Sequence, residues 1–151
     1  MVDELYPLSR YIAGIYRLSK NAFNREIQDK QLDIRATQSD VLLFVSEHCG
    51  IDQSSIAKHM ATSPGLITKD LRILEEQGLI KREVNPEDSR GRLVSLTDDG
   101  VTVVRKLQGI MDEWWRTQLS ECETEWANAP KFSDQLQVLY RHLVTVNQNE
   151  E

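Results

Sequence analysis

Gly65, Thr68, Lys69 and Arg72 recur at the three- and four-residue spacing of one helical face, directly after the turn signal Ser63-Pro64. A glycine lets the backbone come close to a ligand, the threonine offers a small hydrogen-bonding group, and the two cations follow one turn further on. That combination suits a major groove, where Arg and Lys reach guanine edges. Ile67, Leu71 and Leu74 fall at i, i+4 and i+7 on the other side and are expected to pack inward. Ser63 reads as an N-cap and Pro64 as the first helical residue, so the free N–H groups and the local dipole favour a phosphate oxygen there. Ser54, Ser55 and Thr62 are candidates for neutral hydrogen bonds to the same kind of partner. The competing reading is a solvated face, with Lys69 and Arg72 paired to Asp70, Glu75 or Glu76.

A further cation, Arg90, stands in a turn-forming stretch from Asn85 to Gly91, where its guanidinium is suited to the negative potential of a narrow minor groove. Asp88 is expected to support this loop by orienting a neighbouring cation, and Arg92 extends the same candidate surface.

These residues need particular elements to hold them. Residues 5 to 29 read as a long amphipathic helix with Leu8, Ile12, Ile15, Ala22, Phe23 and Ile27 on one stripe. Thr37 is expected to cap a second helix reaching Cys49, with Gly50 closing it in a left-handed conformation; Val41 to Val45 make it apolar nearly all round. Asp52 reads as the cap of a short helix over Gln53 to Met60, and Ser63 as that of a helix running to Gln77 and stopping at Gly78. Residues 79–84 and 92–96 alternate as the two strands of a hairpin. Thr97, followed by Asp98 and Asp99, starts a long helix to about Leu119. A last helix after Pro130 carries Phe132, Leu136, Leu139, Tyr140 and Leu143 on one side. The fold class expected is mainly α with a small β-hairpin, a winged helix-turn-helix lobe over residues 30–97 and helical regions over 1–29 and 98–151, the whole of 1–151 forming one domain.

The hairpin Asp88-Ser89-Arg90-Gly91-Arg92-Leu93-Val94-Ser95-Leu96-Thr97 resembles the wing signature of the MarR family, Asp-x-Arg-x-x-x-Leu-x-Leu-Thr, with Val94 in place of the first leucine. Thr68-Lys69 followed by Leu74-Glu75-Glu76-Gln77-Gly78-Leu79-Ile80 is similar to that family's recognition helix and its exit. Lys69 departs from the usual arginine and loses the planar bidentate fork, and Ile73 stands where a polar or charged residue is more usual. The resemblance implies a homodimer whose first, fifth and sixth helices interlock and whose two recognition helices reach successive major grooves of a near-palindromic duplex. It further implies a repressor released from DNA by a phenolic or other aromatic effector, for which Tyr16, Arg17, Phe44, His48 and Trp114 are the candidate lining.

Composition sets the outer bounds. A chain of 151 residues with 40% hydrophobic and 28% charged residues can bury a sufficient core without metal or disulfide. The net charge of -6 opposes a polyanionic partner, yet residues 53–97 hold seven Lys and Arg against six Asp and Glu, while residues 98–151 hold five against ten. Asp3 and Glu4 contradict a signal peptide and the longest apolar run is far short of a bilayer span, so a cytoplasmic protein without a membrane partner is expected.

The three histidines, His48, His59 and His142, lack a His-x-x-x-His pairing, and the two cysteines lack Cys-x-x-Cys spacing; no metal or cofactor is expected. Cys49 reads as a small core residue, with a redox-responsive regulator acting through it as one alternative and a winged-helix protein-interaction module as another. No phosphate loop, nucleophile motif or metal-ligand spacing points to an enzyme.

Overall fold

Two side-chain caps decide where the central helices begin. In the computed structural model, which describes residues 5–122 and 129–149, the Asp52 carboxylate accepts the Ser54 N–H at 2.9 Å and starts a helix at Gln53. The Ser63 hydroxyl accepts the Leu66 N–H at 3.2 Å, and Pro64 occupies the first helical position, where its missing donor costs nothing. The elements are α1 (Leu8–Asp29), α2 (Ala36–Glu47), β1 (Ile51–Asp52), α3 (Gln53–His59), α4 (Pro64–Glu76), β2 (Ile80–Val84), β3 (Arg92–Leu96), α5 (Asp98–Glu121) and α6 (Ala129–Asn149). The chain is mainly helical, as its periodicities predict.

Helix α2 lies at the centre, touching α1, α4, α5 and β3. Val41, Leu42 and Val45 are fully buried and join Ile56, Leu71, Leu74 and Val94 in one apolar core. That core also takes in Ile27 from α1 and Val104 and Leu107 from α5, so the long helices are anchored to the small lobe by the same contacts that build it. The apolar stripe of α1 divides. Ala22, Phe23 and Ile27 are buried, whereas Leu8, Ile12 and Ile15 stay about half exposed, and so do Phe132, Leu136, Leu139, Tyr140 and Leu143 of α6.

The helix starts and stops differ from expectation in two places. Thr37 does not cap α2, because the cap lies two residues earlier at Arg35, whose backbone N–H is accepted by the Gln38 side chain at 3.1 Å. Gly50 does adopt a left-handed φ of 72°, but α2 has already ended at Glu47. Gly50 instead turns the chain into β1, with its N–H donating to the Val94 carbonyl at 3.1 Å.

That short β1 enlarges the expected hairpin to a three-stranded antiparallel sheet in the order β1-β3-β2. Ile51 faces Val94 across one edge, and Arg82 faces Val94 across the other. Ending α2 early also leaves Cys49 outside the core. It is an exposed free thiol, not the small buried residue that its place in the sequence predicts. Gly78 stops α4 with a φ of 72°, and the Thr97 hydroxyl then ties the corner together: it donates to the Gly78 carbonyl at 2.6 Å and accepts the Gly100 N–H at 3.0 Å.

Candidate nucleic-acid interface

The amphipathic pattern of α4 is realised side by side. Ile67, Leu71 and Leu74 are at most 2% exposed, and Pro64, Gly65, Thr68, Lys69 and Arg72 all lie on the exposed side. The Thr68 hydroxyl donates back to the Pro64 carbonyl at 2.9 Å, which fixes its rotamer.

Of the pairings that a neutralised face would use, one is present, between Arg72 and Glu76. Asp70 is buried to 4% exposure, with Gln38 donating to it at 3.5 Å. Glu75 is held by Arg82, and Arg72 meets Glu76 only at 3.8 Å with both side chains well exposed. An exposed pair at that separation contributes little. Lys69 has no ion pair among the described residues.

Between α3, the start of α4 and the loop joining β2 to β3 lies an open cleft of about 640 Å³, lined by Gln53, Ser54, Pro64, Thr68, Arg90 and Arg92 among others. The cationic ridge therefore divides. Thr68 faces this cleft, whereas Lys69 lines a second one of about 480 Å³ with Lys20, Arg35 and Asp70 on the flank of α1 and α2.

The wing loop is built by stacked turns. The Asn85 backbone N–H donates to the Gly91 carbonyl at 3.1 Å, its side-chain oxygen accepts the Glu87 N–H at 2.9 Å, and its side-chain amide donates to Asp52 at 3.2 Å. Asp88 accepts the Arg90 backbone N–H at 3.0 Å. It thus supports the loop by shaping the backbone under Arg90, not by pairing with a cationic side chain. The Arg92 guanidinium folds onto the carbonyls of Gly91 at 3.1 Å and Ser89 at 3.5 Å. Arg90 keeps an exposed guanidinium without an ion pair among the described residues.

The serine candidates are not equivalent. Ser54 donates its hydroxyl proton to Asp52 at 2.6 Å, so it faces the cleft as an acceptor and is spent as a phosphate donor. Ser55 and Thr62 are half-buried beside the turn. Asp52 is the residue that sequence reasoning placed only as a cap; it also receives Asn85, so one carboxylate joins α3 to the base of the wing. The hydroxyl and N–H of Ser54, with Asn85 adding to them, hold its carboxyl below the usual aspartate range. Arg82, likewise missed, lies on a strand where alternation showed nothing of its partners, Glu75 and Gln53.

The five candidate effector residues fall into separate places. Phe44 and His48 stack with ring centroids 4.2 Å apart, next to His59 at 5.8 Å from Phe44. Trp114 packs edge-on against Phe23 at 5.0 Å. Tyr16 is exposed and hydrogen-bonded to Lys20, and Arg17 is exposed. The His48 Nδ1–H donates to the Phe44 carbonyl in the last turn of α2 at 2.9 Å. A cleft of about 680 Å³ opens beside it, lined by His59, Tyr140 and Arg141 as well. Among the described residues no cluster of three His, Cys, Asp or Glu stands close enough to hold a metal, and no helix is long and apolar enough to cross a membrane.

A short capped helix, a tight turn, a second helix with an exposed cationic ridge and an antiparallel wing ending in a bare guanidinium together define a winged helix-turn-helix, the architecture of DNA-binding regulators. The MarR family model matches residues 34–91. The multiple antibiotic resistance protein MarR of Salmonella typhimurium is 33% identical over 103 residues, covering 68% of this chain and 70% of that one. A crystal structure of MarR superposes with a TM-score of 0.81 at 25% identity, over 99% of both chains. The S. aureus MepR–DNA complex superposes with a TM-score of 0.68 at 25% identity, over 91% of this chain and 97% of that one. The chain belongs to the MarR family of DNA-binding transcriptional regulators, and it is not an enzyme.

Proposed function

We propose that this regulator works as a homodimer that represses transcription by seating two α4 helices in successive major grooves of a near-palindromic site, with the two wings reaching the flanking minor grooves. The observation that carries this reading is the exposed cationic ridge of α4 beside the cleft that ends at Arg90. Gly65, Thr68, Lys69 and Arg72 meet base edges and phosphates; Ser63, Pro64 and the start of α4 receive a phosphate; Arg90 enters the minor groove. Pairing through α1, α5 and α6 is supported by the half-exposed apolar residues of α1 and α6, which a single copy leaves in water. The MepR–DNA complex supports duplex DNA as the partner, and such a regulator meets its operator in the cytoplasm.

Release by a small phenolic or aromatic effector completes the reading. Its support is the cleft beside His48, where aromatic faces and the Arg141 cation come together, as an aromatic acid requires. Tyr16, Arg17, Phe44 and Trp114 serve that role only if the second copy and a shift of the helices bring them to the same space. The redox alternative through Cys49 is favoured by one observation, the exposure of its thiol. Loss of DNA binding on peroxide treatment that Cys49→Ser abolishes would establish it.

The decisive experiment is fluorescence-anisotropy titration against fragments of the gene's own upstream region, at two salt concentrations, for wild type and Arg90→Ala. Sequence-dependent binding that weakens with salt and with the substitution is expected. Equal affinity for random duplex and for every upstream fragment would argue against an operator in that region and for the protein-interaction alternative.

A further inference from the structure

Arg82 joins three elements. Its Nε and Nη2 donate to the same Glu75 oxygen at 3.0 and 2.5 Å, and its Nη1 donates to Gln53 Oε1 at 3.4 Å. Gln53 in turn donates through Nε2 to Thr68 Oγ1 at 3.5 Å. Gln53 and Thr68 line the cleft between α4 and the wing, while Arg82 and Glu75 do not.

The direction of the hydrogen bonds along this chain is not arbitrary. A guanidinium only donates, so Arg82 holds the carbonyl end of the Gln53 amide and leaves the NH2 end for Thr68. Thr68 has already given its proton to Pro64. It receives the amide with one lone pair and keeps the other. The hydroxyl therefore stands on the ridge as an acceptor, and the groups in a major groove that donate to an acceptor are the amino groups of adenine and cytosine.

We propose that Arg82 is a specificity-determining positioning residue: through Gln53 it fixes the polarity of Thr68, so that each recognition helix favours an adenine or cytosine amino group opposite Thr68. This rests on the reading of α4 as the helix that enters the major groove. Glu75 keeps Arg82 in place, and Arg82 itself touches no base.

The test is selection of duplexes from a randomised pool of about 20 base pairs, two half-sites one helical turn apart, by wild type, Arg82→Met, Gln53→Met and Thr68→Val. Wild type is expected to enrich a motif with adenine or cytosine at one position of each half-site. All three variants are expected to lose that single preference by about tenfold, and Arg82→Met and Gln53→Met, which remove no contact of the ridge itself, are expected to bind random duplex as wild type does. A purely structural role would instead weaken specific and random binding together. The proposal is overturned if Arg82→Met and Gln53→Met recover the wild-type motif unchanged, or if Thr68→Val leaves the preference intact. Should Arg82→Met fail to fold, Gln53→Met, which leaves the Glu75 pairing untouched, decides the matter. A wild-type protein that enriches no motif would instead remove the reading of α4 itself, an outcome distinct from the other two.

Discussion

The Tyr140 hydroxyl on α6 donates to the His59 carbonyl at the end of α3, 2.6 Å away across 81 residues of chain. The bond ties the last helix to the lobe that carries α4. Burial first, and the nearby Glu47 carboxylate second, push the Tyr140 phenol above its usual value of 10.0. Its stabilising share is therefore complete below that value and lost as pH rises through the higher folded-state value. Tyr140→Phe is expected to cost about 1 kcal/mol near neutrality and to flatten the alkaline decline seen in denaturant melts of wild type. An alkaline limb identical in both proteins would remove this role.

Asp52 makes the capping bond to α3 and, beyond what a lone cap does, accepts Asn85 of the wing. Asp52→Ala is expected to destabilise by about 1 kcal/mol through the lost cap and, separately, to raise hydrogen exchange in residues 85–91. Because the folded carboxyl titrates below its usual 3.8, its contribution is present above that value and fades as pH falls through the lower folded-state value. Asp52→Asn should thus lose part of the acid dependence of wild-type melting.

Gly100 sits at the foot of α5, where an added Cβ would lie 2.0 Å from the Leu79 carbonyl oxygen. That neighbour is backbone and cannot rotate away. Gly100→Ala is expected to cost at least about 2 kcal/mol in chemical denaturation, whereas Gly109→Ala, in open space on the same helix, should stabilise by up to about 1 kcal/mol. Equal effects at the two positions would show that the close approach at Leu79 is absent in solution.

Ile15 and Leu143 are 54% and 55% exposed, beside the similarly bare Leu8 and Ile12 of α1 and Leu136 and Leu139 of α6. Replacing either by Lys is expected to shift sedimentation from dimer to monomer and to reduce operator affinity by more than about a hundredfold, since the second half-site then no longer binds as part of the same molecule. An unaltered dimer would move the interface elsewhere.

Much of the site was legible because it rests on local chemistry. Ser63-Pro64, Asp52 and Thr97 each act within a few residues, and the inward set Ile67, Leu71 and Leu74 follows from helical period alone. What escaped was set by contacts distant in sequence. Arg82 finds Gln53 across 29 residues and Asn85 finds Asp52 across 33, and neither strand pattern nor turn composition encodes a partner that far away. The start of α2 was misread for a different reason. Thr37 is a strong cap by residue type, but the Gln38 side chain already satisfies the Arg35 N–H two residues earlier. Two residues of β1 are too few to show alternation, so the third strand and the exposure of Cys49 that goes with it had no signal to read.

The tight seat of Gly100 under Leu79 has a mechanical consequence. Helix α5 runs 24 residues from that point, and the close approach to the Leu79 backbone makes its foot the natural fulcrum for any tilt. The helix is about 36 Å long, so a rotation of about 5° at this fulcrum carries its far end about 3 Å. Small adjustments at the corner beside the wing and displacements at the far end of α5 are therefore two ends of one lever arm, with a gain set by the length of the helix.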